Sequence, residues 1–203
     1  LSRERIWAEL EKLFNASNPF FSLSQMQIIG VLEIILGFAP ELNSLNNLIG
    51  FDDVLQTKPD AFLRFMALFI DKEIDENKIA HDFRLSNGQK SRLKAYAKIR
   101  DEIGVNENEK SLKAKIYIHS KKAVKDAFLL AAANISDIKF LQQYIKFIDE
   151  FTIPIFPIDG EDLKALNIPT GPKFGKILKA VEAKWIESDF NLSREKLLAH
   201  LEE

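Results

Sequence analysis

The segment Thr170-Gly171-Pro172-Lys173-Phe174-Gly175-Lys176 has the residue types of an anion site. It is a Gly/Pro loop running into a helix start, where free backbone N–H groups and a partial positive charge suit a phosphate. Gly171 and Gly175 would let another backbone come close, and Lys173, Lys176 and Lys179 recur at helical spacing along one edge. The same residues also fit helix–helix packing, with Pro172 opening the helix and Gly175 permitting a tight crossing. Two further basic sets stand upstream: Lys90, Arg92, Lys94 and Lys98, then Lys121, Lys122 and Lys125. Each suits backbone phosphates, which several cations bind with salt-dependent affinity, and each also suits a solvated helix face.

Other chemistry is poorly supplied. His81, His119 and His200 lie far apart and in no metal-binding spacing. No Gly-rich loop follows a strand, so neither a Walker nor a dinucleotide fingerprint is present. The adjacent carboxylates Asp52-Asp53 suit Mg²⁺ in kind, but they have no phosphate-binding partner nearby and read as a solvated turn. Glu161-Asp162 sit in a first helical turn, where negative charge complements the helix dipole. With no cysteine, disulfides, thiolate ligands and a cysteine nucleophile are excluded, and a cytoplasmic home is the default.

The elements that would carry these residues are helices. Leu, Ile, Phe, Ala, Lys and Glu dominate, Val is scarce, and hydrophobic residues make up 46% of the chain, as in a folded domain. No apolar run reaches the roughly 18 to 20 residues of a membrane span. The net charge of −2 conceals an asymmetry: residues 1–80 hold 7 basic and 12 acidic side chains, residues 81–179 hold 18 and 12, and residues 180–203 hold 3 and 6. A basic middle between acidic ends can dock a polyanion.

Ser2 caps a first helix whose Ile6, Leu10, Leu13 and Phe14 share a face. Asn18-Pro19 breaks the chain; Ser22 or Ser24 restarts it through Met26, Ile29, Leu32 and Leu36 until Pro40. A short helix over Leu42–Ile49 follows, then one opened by Pro59-Asp60 with Phe62, Phe65, Met66 and Phe69 as its stripe. A small helix spans Glu76–Phe83. Ser86 or Asn87 caps a basic helix that runs to about Ile103, before Gly104. Lys110–His119, Val124–Asn134 and Ile138–Phe151 read as three more helices, the second buried. Pro154 and Pro157 mark a connector, which divides the chain into 1–153 and 154–203. Asp159 caps a short helix through Leu166, a long one starts at Pro172 or Lys173, and Ser193 caps the last. The expected fold is all-α, an elongated array of about ten to twelve helices.

Two terminal segments, taken together, resemble one family. Leu1-Ser2-Arg3-Glu4-Arg5-Ile6 with Glu9-Leu10 and Lys12-Leu13-Phe14 resembles the "LSxERIxxEL" neck motif of the tRNA nucleotidyltransferase and poly(A) polymerase family. Phe156 to Leu163, Leu166 to Pro172 and Gly175-Lys176-Ile177-Leu178 resemble its C-terminal "GxDLxxLGIPPGPxxGxIL" segment, continuing into Trp185, Asp189-Phe190 and Ser193-Arg194-Glu195. Between them Arg84-Leu85-Ser86-Asn87 resembles a segment of the family's body. The flavour is similar to alphaproteobacterial members. Asn167 and Thr170 depart from the pattern, where Gly and Pro are common in the family.

The resemblance implies a neck, body and tail without the catalytic head. In the family the head carries the metal-binding aspartates, and the match here begins just after the neck residues that read the nucleotide. Leu1 in place of Met fits a chain cut from something longer. Ser2, Glu4, Arg5 and Glu9 would then brace the nucleotide pocket, while body and tail hold the acceptor and T arms of tRNA. The head would be the protein partner. Mg²⁺, CTP and ATP belong to the full-length reaction, with no cofactor in this chain and no activity expected of it alone. Poly(A) polymerase specificity and a helical protein-binding scaffold are the alternatives; neither form of the protein calls for a membrane.

Overall fold

The computed structural model describes residues 2–202 apart from 74, 137, 138, 167, 169 and 170, and for 172, 173 and 202 the backbone alone. The regular structure of the described residues is all helical: thirteen α-helices and one 3-10 turn, with no strand. They form two units, one of Leu1–Glu107 with His119–Glu150, the other of Asn108–Ile118 with Phe151–Glu203.

The first unit opens with α1 (Arg3–Phe14), whose first turn is capped by the Ser2 hydroxyl accepting from the Arg5 N–H at 3.4 Å. Its buried face is Trp7, Leu10 and Phe14. The single helix expected between Ser22 or Ser24 and Leu36 is two, α2 (Phe20–Ile28) and α3 (Val31–Leu36). Gly30 lies between them at φ +77, a left-handed conformation that glycine adopts without a Cβ penalty. The serines do not start α2. Asn18 does, its Oδ1 accepting from the Phe20 N–H, while the Ser24 hydroxyl donates back to Phe20 O. Ile29 is consequently exposed, and Leu23 and Leu32 are the buried positions.

Helix α4 (Asn43–Leu55) runs a turn and a half past its expected end, so Asp52-Asp53 are helical rather than a solvated turn. Asp60 caps α5 (Ala61–Met66), accepting from the Leu63 N–H at 3.0 Å, and the chain tightens into a 3-10 turn over Ala67–Phe69. The rings of Trp7, Phe62, Phe65, Phe69 and Phe83 meet mostly edge to face; Phe65 lies 4.8 Å from Trp7 and 5.0 Å from both Phe69 and Phe83. This cluster fastens α1 to α5 and to the end of α6 (Glu76–Asp82).

Helix α7 (Asn87–Ile99) begins with a full capping box, Ser86 and Gln89 each satisfying the other's backbone N–H. It stops four residues short of the expected Ile103, because the Glu102 N–H turns back to Ile99 O and tucks Ile103 into the core. Helix α9 (Lys121–Ile135), capped by the Ser120 hydroxyl, is the central element, packed against α4, α7 and α10 (Leu141–Glu150).

The second unit contains α8 (Glu109–His119) up to Ile118, α11 (Gly160–Ala165), α12 (Pro172–Glu187) and α13 (Arg194–Glu202). Its core is Ile158, Leu163, Val181, Trp185 and Leu197, with Tyr117 of α8 and Phe190 packed on Trp185. A second capping box, between Asp159 and Asp162, starts α11, and Arg194 pairs with Asp162. Lys113 pairs with Asp189 at 3.0 Å, and the Tyr117 hydroxyl donates to Glu182. Burial, with Glu182 beside it, pushes the Tyr117 phenol up to about 12.

Candidate nucleic-acid interface

Lysines and arginines on a folded surface divide into those tied to carboxylates and those left open, and only the second kind has its full charge to offer a polyanion. In the first unit the division runs along α7 and α9. Arg92 is tied. Its Nε and Nη2 donate to Asp126 at 2.6 and 2.9 Å, and its Nη1 and Nη2 donate to Asp60 at 2.8 and 2.6 Å. Its guanidinium also lies over the Phe62 ring. Lys122 closes the same network, 3.1 Å from both Asp60 and Asp126.

Electrostatics explains why this network persists. Burial by itself would raise the Asp60 carboxyl, but the hydrogen bonds and charge of Arg92, with the Leu63 N–H and Lys122, hold it well below the usual range. Burial likewise works against the Arg92 cation, and Asp126 and Asp60 reverse it, raising its affinity for its proton. Lys121 and Lys125 are tethered too, the first to Asp149 O at 2.6 Å and the second to the Asp149 carboxylate at 2.7 Å.

Lys90, Lys94 and Lys98 are different. All three are exposed and none has an ion-pair partner among the described residues. The structure therefore brings Arg92 and Lys122 together around Asp60 and Asp126, and leaves Lys90 and Lys94 on the opposite side of α7.

In the second unit, Lys176 and Lys179 stand exposed on the first two turns of α12, likewise unpaired among the described residues. The side chain of Lys173, like Thr170, lies outside the described residues. Gly171 precedes α12 at φ +151, a conformation that disfavours any Cβ, and it offers no side-chain cap to the helix start. Gly175 is exposed and a Cβ built on it would meet nothing within 4 Å. No helix of the described chain crosses there.

Residues of α1 line or flank a groove. Arg5, Ile6, Glu9, Leu10 and Leu13 of α1 face Met26 and Ile35 across a space of about 480 Å³. Ser2 is committed to capping α1, Glu4 is exposed, and Glu9 pairs with Lys12. Phe21, Ile28, Ile29 and Ile34 are large apolar side chains exposed on α2 and α3.

Arg64 is the functional-looking residue that sequence reasoning passed over. It is 2% exposed and donates to Phe14 O, Ala16 O and Ser17 O, and to the Asp52 carboxylate at 2.7 Å. Its signal was a lone cation inside the apolar stretch Phe62–Phe69; Asp126, 1% exposed in the apolar run of α9, carries the same signal. Both serve the fold. With Asp52 held by Arg64 and by the Thr57 hydroxyl, the adjacent pair Asp52-Asp53 does not fit a Mg²⁺ site. Among the described residues no group of three His, Asp or Glu side chains could hold a metal ion. His81 sits beside Asp82 and His119 beside Glu102. No helix of the described residues is long and apolar enough to cross a membrane.

Fold and surface together define an all-helical protein in two units, each with a helix face whose exposed lysines have no ion-pair partner among the described residues. No family model matches the chain. It is similar over nearly its whole length to CCA tRNA nucleotidyltransferases: 22% identical over 208 residues to the mitochondrial CCA tRNA nucleotidyltransferase 1 of Mus musculus and 22% over 207 residues to that of Danio rerio, in each case 99% of this chain and 46% of the relative. It is 27% identical over 219 residues to the CCA-adding enzyme of Staphylococcus haemolyticus, covering all of this chain and 52% of that protein. The chain thus spans about half the length of the curated relatives it matches.

Proposed function

We propose that this chain is the neck, body and tail of a tRNA nucleotidyltransferase, and that it holds the acceptor and T arms of tRNA while a separate head domain adds CCA to the 3′ end. The observation that carries this reading is the end-to-end similarity to CCA-adding enzymes, which covers the whole chain and half of each relative. The surface is compatible with it. The exposed and unpaired cations Lys90, Lys94, Lys176 and Lys179 are the phosphate contacts, with Gly171, Lys173 and Gly175 shaping the start of α12. Open space at Gly175 favours an external partner at this turn over helix packing. Arg92, Lys121, Lys122 and Lys125 enter as braces: the ion pairs of Arg92 and Lys122 hold α7 to α9, and Lys125 through its ion pair and Lys121 through its hydrogen bond to Asp149 O hold α9 to α10.

Ser2, Arg5 and Glu9 shape the wall of the nucleotide pocket from α1, with Glu4 beside them, and the apolar groove next to Arg5 and Glu9 is where the head seats. Transfer of CMP and AMP, with its Mg²⁺, CTP and ATP, belongs to the head. The test is a tRNA-binding titration at low and at raised salt, with a Lys176→Glu/Lys179→Glu variant alongside. We expect saturable binding that weakens steeply with salt and a tenfold or larger loss in the variant. Robust CCA addition by this chain alone would contradict the division of labour, and undetectable binding at low salt would favour a protein-binding scaffold.

A further inference from the structure

We infer that the solvent face of α7 is a strand-tracking surface, on which Lys90, Lys94 and Lys98 bind successive phosphates along one strand of a base-paired RNA arm. The inference rests on the RNA-binding reading above and adds to it a register, a strand and three residues acting together.

Helix α7 carries four basic residues and no acidic one, in a protein whose net charge is −2. Its inner face is Leu93, Tyr96 and Ile99, and Arg92 turns to the same side to reach Asp60 and Asp126. The opposite face therefore consists of Asn87, Lys90, Ser91, Lys94 and Lys98, all exposed. A merely solvated face interleaves both signs of charge. Here lysines follow one another at four-residue steps, an arrangement that costs an isolated helix a few tenths of a kcal/mol per like-charged pair. None of the three is neutralised by a carboxylate among the described residues.

The spacing suits a phosphate backbone. Four residues advance about 6 Å along a helix, of the order of the step between phosphates on one RNA strand. The row also drifts round the helix by about 40° per step, as a contact line must if it follows a curved strand. Asn87 and Ser91 form a parallel row, and their amide and hydroxyl are the neutral donors that phosphate and ribose oxygens accept from. This face carries no aromatic ring, so it has nothing on which an unpaired base can stack. It is built for shape and charge, hence for a duplex arm whatever its sequence.

The experiment uses the intact chain and a fluorescently labelled acceptor–T-arm minihelix, titrated across a series of salt concentrations. The Lys90→Gln/Lys94→Gln/Lys98→Gln variant is compared with a control that removes the same charge elsewhere, Lys12→Gln/Lys146→Gln/Lys196→Gln. Circular dichroism confirms that both remain folded. We expect the α7 variant to lose at least tenfold in low-salt affinity and roughly 2 units of the log–log salt slope, because each phosphate contact contributes about 0.7 to 0.9 of a unit. The control should keep its slope, and a minihelix of unrelated paired sequence should behave like the first. An unchanged slope in the α7 variant, or an equal loss in the control, overturns the inference and removes Lys90 and Lys94 from the phosphate contacts, while RNA binding by the chain, with Lys176 and Lys179, still stands. Failure of the unmodified chain to bind any minihelix removes that reading, and this inference with it.

Discussion

A guanidinium with 2% of its surface exposed needs partners for its donors, and Arg64 finds them for Nη1 and Nη2 in three carbonyls and the Asp52 carboxylate, while its Nε has none among the described residues. It ties the end of α1 to α4 and α5. Arg64→Ala leaves Asp52 without its cation and three carbonyls without a donor; we expect a loss of about 3 kcal/mol, read from urea denaturation. Asp60 gives a pH signature. Its carboxyl is held below the ordinary range in the folded state, so the stabilisation it brings is complete above the unfolded value near 4 and is lost as the pH falls below that. Asp60→Asn should therefore lower stability at neutral pH and flatten the acid limb of the stability profile. A variant whose acid limb matches that of the parent would contradict the assignment. At this scale the sequence was least informative. Asp52, Asp60 and Asp126 are ordinary carboxylates in a row of letters, and only folding brings Arg64 and Arg92 to them across separations of 12 to 34 residues.

Elements were more legible, for a physical reason. Caps and apolar spacing act within a turn or two, so Ser2, Asp60, Ser86 and Asp159 mark helix starts that the structure contains. What periodicity missed was interruption. The apolar pattern from Met26 to Leu36 continues through Gly30, yet the chain takes a left-handed turn there. Gly30→Ala should cost about 1 kcal/mol although its Cβ meets nothing, because the cost lies in the backbone. Gly175 is the counter-case. It lies inside α12 with open space around it, so Gly175→Ala should raise the stability of the protein by up to about 1 kcal/mol. Thermal unfolding of the two variants checks both signs. If Gly175→Ala is destabilising instead, the packing explanation for that glycine returns.

For the whole molecule, the two terminal motifs carried information that no local rule supplied, and the similarity to CCA tRNA nucleotidyltransferases over nearly the whole chain supports the same family. The assignment of α8 up to Ile118 to the second unit was not legible, since its own periodicity says that it is a helix and nothing about which core it joins. Tyr117 and Lys113, through Trp185, Glu182 and Asp189, reveal that. These helices are proposed to hold the acceptor and T arms of tRNA. Hydroxyl-radical footprinting of a tRNA saturated with this chain is the direct check. Protection should be confined to the acceptor and T arms and lost at high salt. Protection of the anticodon arm instead, or cleavage indistinguishable from free tRNA at low salt, would contradict it.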